Sequence, residues 1–453
     1  VRALLFQTYE RISASYWFLP SVMAPFAALL AFVLIQVDLR LPPDFYGHSA
    51  FLFAAQPDGA RAVLSAIGGS MIGVAGTVFS VTMATVVFAS GSYGPRLLTN
   101  FMNDRGNQVT LGVFVATFVY SMLVLRSVRD AAEGAALFVP NTAVFGAIIL
   151  ALGSIAVLIY FIHHVPSNIH ISNVIAGIAH ALLDEIGDRF PKDIGEGADD
   201  TLTQAHLPDG LNKGLDERTA GTVAILAARS GYAQVIDDVS LMKIAKERDI
   251  VIRLSCQPGS FVHPGLVLFT VWPARKVDDD LHDALLATVA LGNARTPAQD
   301  ILFLFDELVE IAGRALSPGV NDPFTAVTCI DWLSAAFSEL AGRRTPGAFR
   351  MDDDGVPRII VEPHGFAEYL DHAFGRLRQY AARDRIAGAR FIEALTSVVG
   401  ACGRRIDIES LRQQKAALLA LAAEELPEPS FRPIAEAAER FDRAAAQAAA
   451  RRL

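Results

Sequence analysis

The stretch RALSPGVNDPFTA, residues 314–326, gathers groups suited to acid–base and hydrogen-bonding chemistry. Asp322, with Asp331 further on, is of the type that serves as general acid or base, and Asn321, Thr325 and Thr328 are types that hold a polar substrate. The same residues also suit a purely structural role. Pro318 restricts Ser317, Gly319 permits a turn, Asp322 is placed as a helix N-cap, and Pro323 fits a first helical position. Three roles therefore stand open for Ser317, Gly319, Asn321, Asp322 and Thr325: a corner between helices, a site for a regulatory ligand, or a catalytic loop. No Ser-His-Asp order, phosphate-binding loop, HExxH or paired CxxC supplies a reaction. The chain is expected not to be an enzyme, and no cofactor is expected.

Other reactive types are scattered. His180, Asp184 and Asp188 recur every fourth residue, so a helix sets them on one side. Imidazole and carboxylates there either ligate zinc or another divalent ion, with neighbouring chains completing the shell, or form a solvated face. Asp306 and Glu310 share the spacing, and ordinary solvation is expected for them. His163 and His164 are adjacent, so a helix turns them about 100° apart and they need not share a ligand. Arg376, Arg378, Arg383 and Arg385 are phosphate-binding types, but interspersed acids point to ordinary exposure.

The chain that positions these groups has two halves of different character. Of 453 residues, 52% are hydrophobic, too many for one ordinary soluble globule. The excess lies in four charge-free runs, 17–37, 67–89, 109–125 and 142–162, each long enough as helix to cross about 30 Å of hydrocarbon. The first lacks a small-residue cleavage pattern and is expected to remain as a span. Cys256, Cys329 and Cys402 are too separated for a disulfide framework and favour a reducing compartment. Basic residues flanking the spans balance, so the positive-inside rule alone does not orient them. The cysteines and the acidic C-terminal region favour both termini, and that region, in the cytoplasm. A net charge of −9 disfavours nucleic acid as a partner; membrane lipids are the expected surroundings.

In the second run Gly69 and Gly73 have GxxxG spacing, and Gly76, Ser80 and Ala84 extend the small-residue side. Thr77 and Thr85 add hydroxyls. This side either lines a narrow ion path, where hydroxyls and carbonyls replace part of an ion's hydration, or packs helix on helix with its hydroxyls bonded four residues back. The absence of charge in the run argues against a carboxylate proton relay. Beyond it, residues 90–95 punctuate the helix. Tyr93 and Arg96 suit an anchor at the headgroups, and Arg96 alternatively a pore mouth that attracts anions.

After the spans, 169–190 reads as a helix leaving the membrane and 193–216 as a flexible connection. Alternation at 251–256 and the apolar run 266–272 predict strands around a Pro- and Gly-bearing turn at 257–265. The stretch CQPGSFVHPGLVLF looks like the compact hammerhead of biotinyl and lipoyl carrier modules, without the lysine that accepts their cofactor. Thr296, Pro297 and Gln299 set out a helix start with a capping box. A short strand is expected at 358–361 and helices at 365–383, 408–421 and 434–453, the last packing in an oligomer or protruding. The expected fold is a multi-pass α-helical membrane domain with a cytoplasmic α+β region containing a small β-sandwich or barrel-like unit. Its divisions are a four-helix transmembrane domain (1–166), a helical connector (167–228), a small β-rich module (229–273), a helical regulatory or assembly module (274–345) and a mainly helical C-terminal region (346–453).

Two pieces, VFSVTMATVVFASGSYGPRLLTNFMNDRGNQ and RALSPGVNDPFTAVTCIDWL, carry a resemblance spanning roughly residues 2–405. On them the chain resembles the bacterial predicted membrane proteins classed as domain of unknown function 2254. The resemblance implies an N-terminal membrane bundle followed by a cytoplasmic domain and brings no reaction or transported substrate. It carries over onto Ser80, Ser90, Pro95, Arg96, Asp104, Arg105 and Gln108 in the first piece, and onto Ser317, Pro318, Gly319, Asn321, Asp322 and Pro323 in the second.

Four spans give one subunit little material for a private path, which makes symmetric assembly attractive. The expected function is a homo-oligomeric ion channel of the bacterial inner membrane, conducting ions passively under control of the cytoplasmic region. The alternatives are a noncatalytic sensor or signalling scaffold binding a small regulatory ligand near 317–323, and a membrane-associated enzyme.

Overall fold

The structure, a computed structural model, describes residues 8, 12–13, 15–41, 56–94, 104–130, 137–190 and 221–450. The chain divides into two compact units, residues 10–173 and residues 1–9 with 174–453. The first is built from α1 (Phe18–Asp38), α2 (Pro57–Tyr93), α3 (Arg105–Ser127) and α4 (Asn141–Ile169). All four are long and apolar enough to cross a membrane, and one apolar run falls on each. Helix α2 begins well before its run, because proline suits the first helical position and Asp58 complements the positive end. It also continues through Ser90 and Gly91, where the sequence suggests punctuation; the break comes at Gly94, with φ of 127°.

Helix α3 is the centre of the bundle. Half of its most apolar window is buried, against 17–22% in the other three. Lipid supplies no hydrophobic drive between helices, so close approach and hydrogen bonds must hold them. Gly68 of α2 sits where a Cβ would overlap the Met122 side chain of α3. The Thr117 and Ser154 hydroxyls, both fully buried, meet at 3.0 Å between α3 and α4, and the Tyr120 hydroxyl donates to Ala143 O at 2.8 Å. At the end of α1, Asp38 accepts the N–H groups of Thr142 and Ala143 at 3.1 and 3.0 Å, capping α4 from a neighbouring helix.

Helix α5 (Ile171–Arg189) carries the chain into the second unit. Its C-terminal carbonyls are held by Arg343, which donates to Gly187 O at 2.9 Å and to Phe190 O. The sheets follow from β1 (Val223–Leu226), β2 (Gly231–Ile236), β3 (Val251–Leu254), β4 (Phe261–Val262), β5 (Val267–Trp272), β6 (Val289–Gly292), β7 (Phe349–Met351) and β8 (Pro357–Ile360), with α6 (Asp238–Arg248) and α7 (Asp279–Leu286) interspersed. One sheet has the order β1-β5-β3-β8-β7 and the other β4-β2-β6. All pairs are antiparallel except β3 with β8. Ile225, Leu241, Ile252, Phe269 and Leu285 share their core.

The expected strands are present as β3, β5 and β8, but no closed barrel or sandwich is seen. Two pairings open it. Strand β4, inside the turn between β3 and β5, joins β2 in the other sheet, and β8 arrives from far along the chain to lie parallel to β3. Local alternation identifies strands and leaves such partners undetermined.

The remaining body is helical: α8 (Ile301–Ala315), α9 (Pro323–Ala341), α10 (Phe366–Leu370), a π turn at Asp371–Gly375, α11 (Arg376–Ala381), α12 (Arg385–Ala401), α13 (Arg405–Glu425) and α14 (Glu428–Ala450). Helix α8 starts later than Thr296 and Pro297 suggest. Asp300 is its N-cap, accepting from Phe303 N at 3.1 Å, while Gln299 leaves the helix to bond both backbone groups of Ile236 in β2. Phe305, Phe366 and Phe374 surround Phe337. The alanine-rich α14 packs within the chain, burying Ile434 and Phe441, with Ile434 against Gly388 of α12.

Candidate functional site

Gly69, Gly73, Gly76, Thr77 and Ser80 are exposed on α2, and Thr85 is half-buried. A Cβ built on any of those three glycines meets nothing within 4 Å. The packed side of α2 is instead that of Gly68, Met71, Ala75 and Val78. GxxxG spacing thus marks a side that the described residues of the bundle leave bare. Thr77, Ser80 and Thr85 donate to Gly73 O, Gly76 O and Val81 O at 3.1, 2.9 and 2.9 Å. Each hydroxyl gives its proton to its own helix and presents lone pairs sideways. Arg96 and the side chain of Tyr93 lie outside the described residues.

The 314–326 segment forms a helix stop, turn and restart. Ser317 Oγ donates to Arg314 O at 2.6 Å, and Asp322 N to Ala315 O at 2.8 Å. The Asp322 carboxylate accepts from Thr325 N and Thr325 Oγ1 at 3.2 and 2.6 Å, with Pro323 opening α9. The left-handed residue of the turn is Asn321, at φ 51°, and not Gly319. Asn tolerates this conformation better than other non-glycine residues, which accounts for its place here. Val320 and Phe324 stand 54% and 69% exposed at this corner. Asp331 is paired with Arg390.

His180, Asp184 and Asp188 are all exposed on α5, with the His180 ring edge-on to Trp332 at 5.0 Å. Among the described residues no three His, Cys, Asp or Glu side chains group as a metal ion requires. His164 is held between two other side chains. Its Nε2 lies 2.8 Å from Asp104 Oδ2, and its Nδ1 lies 3.0 Å from the Tyr160 hydroxyl. Asp104 also caps α3 by accepting from Gly106 N at 2.8 Å. Residue 106 must be glycine for this seat, because His164 and Tyr160 occupy the space of a Cβ.

The most connected polar group is Asp306, which sequence spacing assigns to a solvated pair. It is 3% exposed. Its Oδ2 accepts from Arg295 at 2.5 Å, and its Oδ1 accepts from Arg376 at 2.7 Å and lies 2.8 Å from His372 Nε2. Arg295 also donates to the buried Asp300 at 2.7 Å. Burial alone would raise the Asp306 pKa, but His372 and Arg295 outweigh it and hold the carboxyl below its ordinary value. The missed signal is in ILFLFDELVEIA: α8 is buried nearly all round, and a helix with no wet face must pair its carboxylates.

Four helices of spanning length, followed by a body of two sheets and packed helices, define a multi-pass membrane protein. The chain belongs to the family described as predicted membrane protein (DUF2254), whose profile matches residues 13–397. It is 32% identical over 366 residues to the uncharacterized protein Rv1290c of Mycobacterium tuberculosis, an alignment covering 79% of this chain and 68% of the relative. The uncharacterized protein Mb1321c of Mycobacterium bovis matches with the same identity and coverage. No solved structure matches the chain.

Proposed function

We propose that the protein is a homo-oligomeric ion channel of the bacterial inner membrane, with the path formed between copies along α2. It acts by passive conduction and performs no bond chemistry. Both termini and the C-terminal body lie in the cytoplasm, where the body regulates opening. The observation that carries this reading is the bare side of α2. Gly69, Gly73, Gly76, Thr77 and Ser80 find no cover among the described residues of their own bundle, and small residues are the type that admit a second backbone closely. Hydroxyls whose protons are bonded back to the helix offer only acceptors outward, which suits a cation. Helix α5, leaving the last span and fixed to the body by Arg343, is the link through which regulation acts. Ion flux from liposomes carrying the purified protein tests this: release altered by Thr77→Val supports it, and sealed vesicles under all ionic conditions refute it.

A sensor or scaffold is the second reading, favoured by Val320 and Phe324 standing exposed on the corner that carries the family motif. It gains if vesicles stay sealed while a small-molecule screen gives a thermal shift that Phe324→Ser abolishes.

A further inference from the structure

One side of the α10–α11 helix frames an open depression of about 510 Å³, whose polar lining is Glu368, Asp371, His372, Arg376 and Arg378, with Gly375 among them. A π turn at Asp371–Gly375 interrupts the helix there, a feature frequent at functional sites. The two arginines line the same depression and are each anchored on a neighbouring helix. Arg376 reaches Asp306 of α8 through Nη1 at 2.7 Å, and Arg378 reaches Gln414 of α13 through Nη1 at 3.1 Å. The remaining guanidinium nitrogens of both make no hydrogen bond among the described residues. Gln414 in turn donates to Asp371 Oδ1 at 3.0 Å, and Glu368 Oε2 accepts from Gly365 N at 2.7 Å. Among the described residues the second oxygen of each carboxylate accepts no hydrogen bond. Asp371 lies over Gly375, in the space a Cβ would take.

We propose that this depression binds a small zwitterion of the amino-acid type, its carboxylate on Arg376 and Arg378 and its ammonium on Asp371 and Glu368. The charge pattern selects the class. A simple oxyanion meets two carboxylates beside the guanidiniums, and a simple cation meets two guanidiniums beside the carboxylates, whereas a zwitterion finds opposite charge for both its ends. The lining holds no Phe, Tyr or Trp, and its one ring, the His372 imidazole, is held by Asp306, so a primary ammonium that hydrogen-bonds carboxylates fits better than a quaternary one, which the faces of such side chains recognise. The proposal does not rest on conduction.

The test uses the full chain in lipid nanodiscs, dialysed to equilibrium against a pool of the proteinogenic L-amino acids and read by mass spectrometry. Inorganic phosphate and spermidine are dialysed in parallel as probes of single charge sign. At least one amino acid should be retained, with retention falling about tenfold or more in Arg378→Gln and in Asp371→Asn. It should be unchanged in Arg383→Gln, whose guanidinium meets Glu425 at 3.0 Å. If Asp371→Asn unfolds, Arg378→Gln carries the comparison, since among the described residues the Arg378 side chain hydrogen-bonds only Gln414. No amino acid retained, phosphate or spermidine retained in preference, or equal loss in Arg383→Gln would overturn the proposal.

Discussion

His372 Nε2 lies 2.8 Å from Asp306 Oδ1, tying the π turn to a helix 66 residues earlier in the chain. Arg295 and Arg376 share the same carboxylate. Removing one member of a buried, charged cluster leaves the others uncompensated. Asp306→Ala should therefore destabilise the second unit by about 3–5 kcal/mol, read as lost amide-exchange protection in α8. Arg376, whose side chain is 54% exposed, should cost less than about 1 kcal/mol when replaced by alanine. Equal losses would contradict this ranking.

The same carboxyl sets a pH dependence. Its folded pKa is lowered, so its stabilisation is full above the unfolded value of about 3.9 and is lost as pH falls through the folded value. The stability gap between the wild type and Asp306→Asn should be widest near neutrality and close on acidification below about pH 4. Urea titrations at a series of pH values measure it; a gap that widens in acid has the wrong sign.

At the corner, backbone conformation decides. Asn321→Gly should be tolerated, whereas Asn321→Val should cost about 1–3 kcal/mol, since a β-branched residue is strained at positive φ. Asp322→Ala removes the N-cap and should cost about 1 kcal/mol. Denaturant unfolding of the three variants checks the order; Asn321→Val matching the wild type would refute it.

Neighbouring glycines of α2 should behave differently. Gly68→Leu forces a side chain into Met122 and should destabilise the bundle by about 1–3 kcal/mol. A Cβ at Gly73 meets no described atom within 4 Å, and Gly73→Leu should leave a detergent-dispersed monomer within about 0.5 kcal/mol of the wild type. Thermal unfolding in micelles separates them.

How legible all this is in the sequence depends on how local the cause is. Span count, the Asp322 cap and most helices follow from composition and spacing within one element. The start of α8 does not, because Gln299 is drawn away by β2 and Asp300 takes its place as cap. Nor does the open sheet, where β8 joins β3 across intervening helices. GxxxG spacing identifies a small-residue side but does not say whether a neighbour lies there, and the packed glycine is Gly68. The pairings of Asp306 and Asp104 are hidden for the same reason: their partners His372 and His164 are distant in the chain.

Single-channel recording in planar bilayers tests conduction along α2 most directly. Discrete cation-selective currents are expected, reduced severalfold in unit size by Thr77→Val and blocked by Gly73→Trp, with both variants still inserted and folded. Silence across ions, voltages and lipid compositions, or currents that neither substitution alters, would contradict a path lined by this helix.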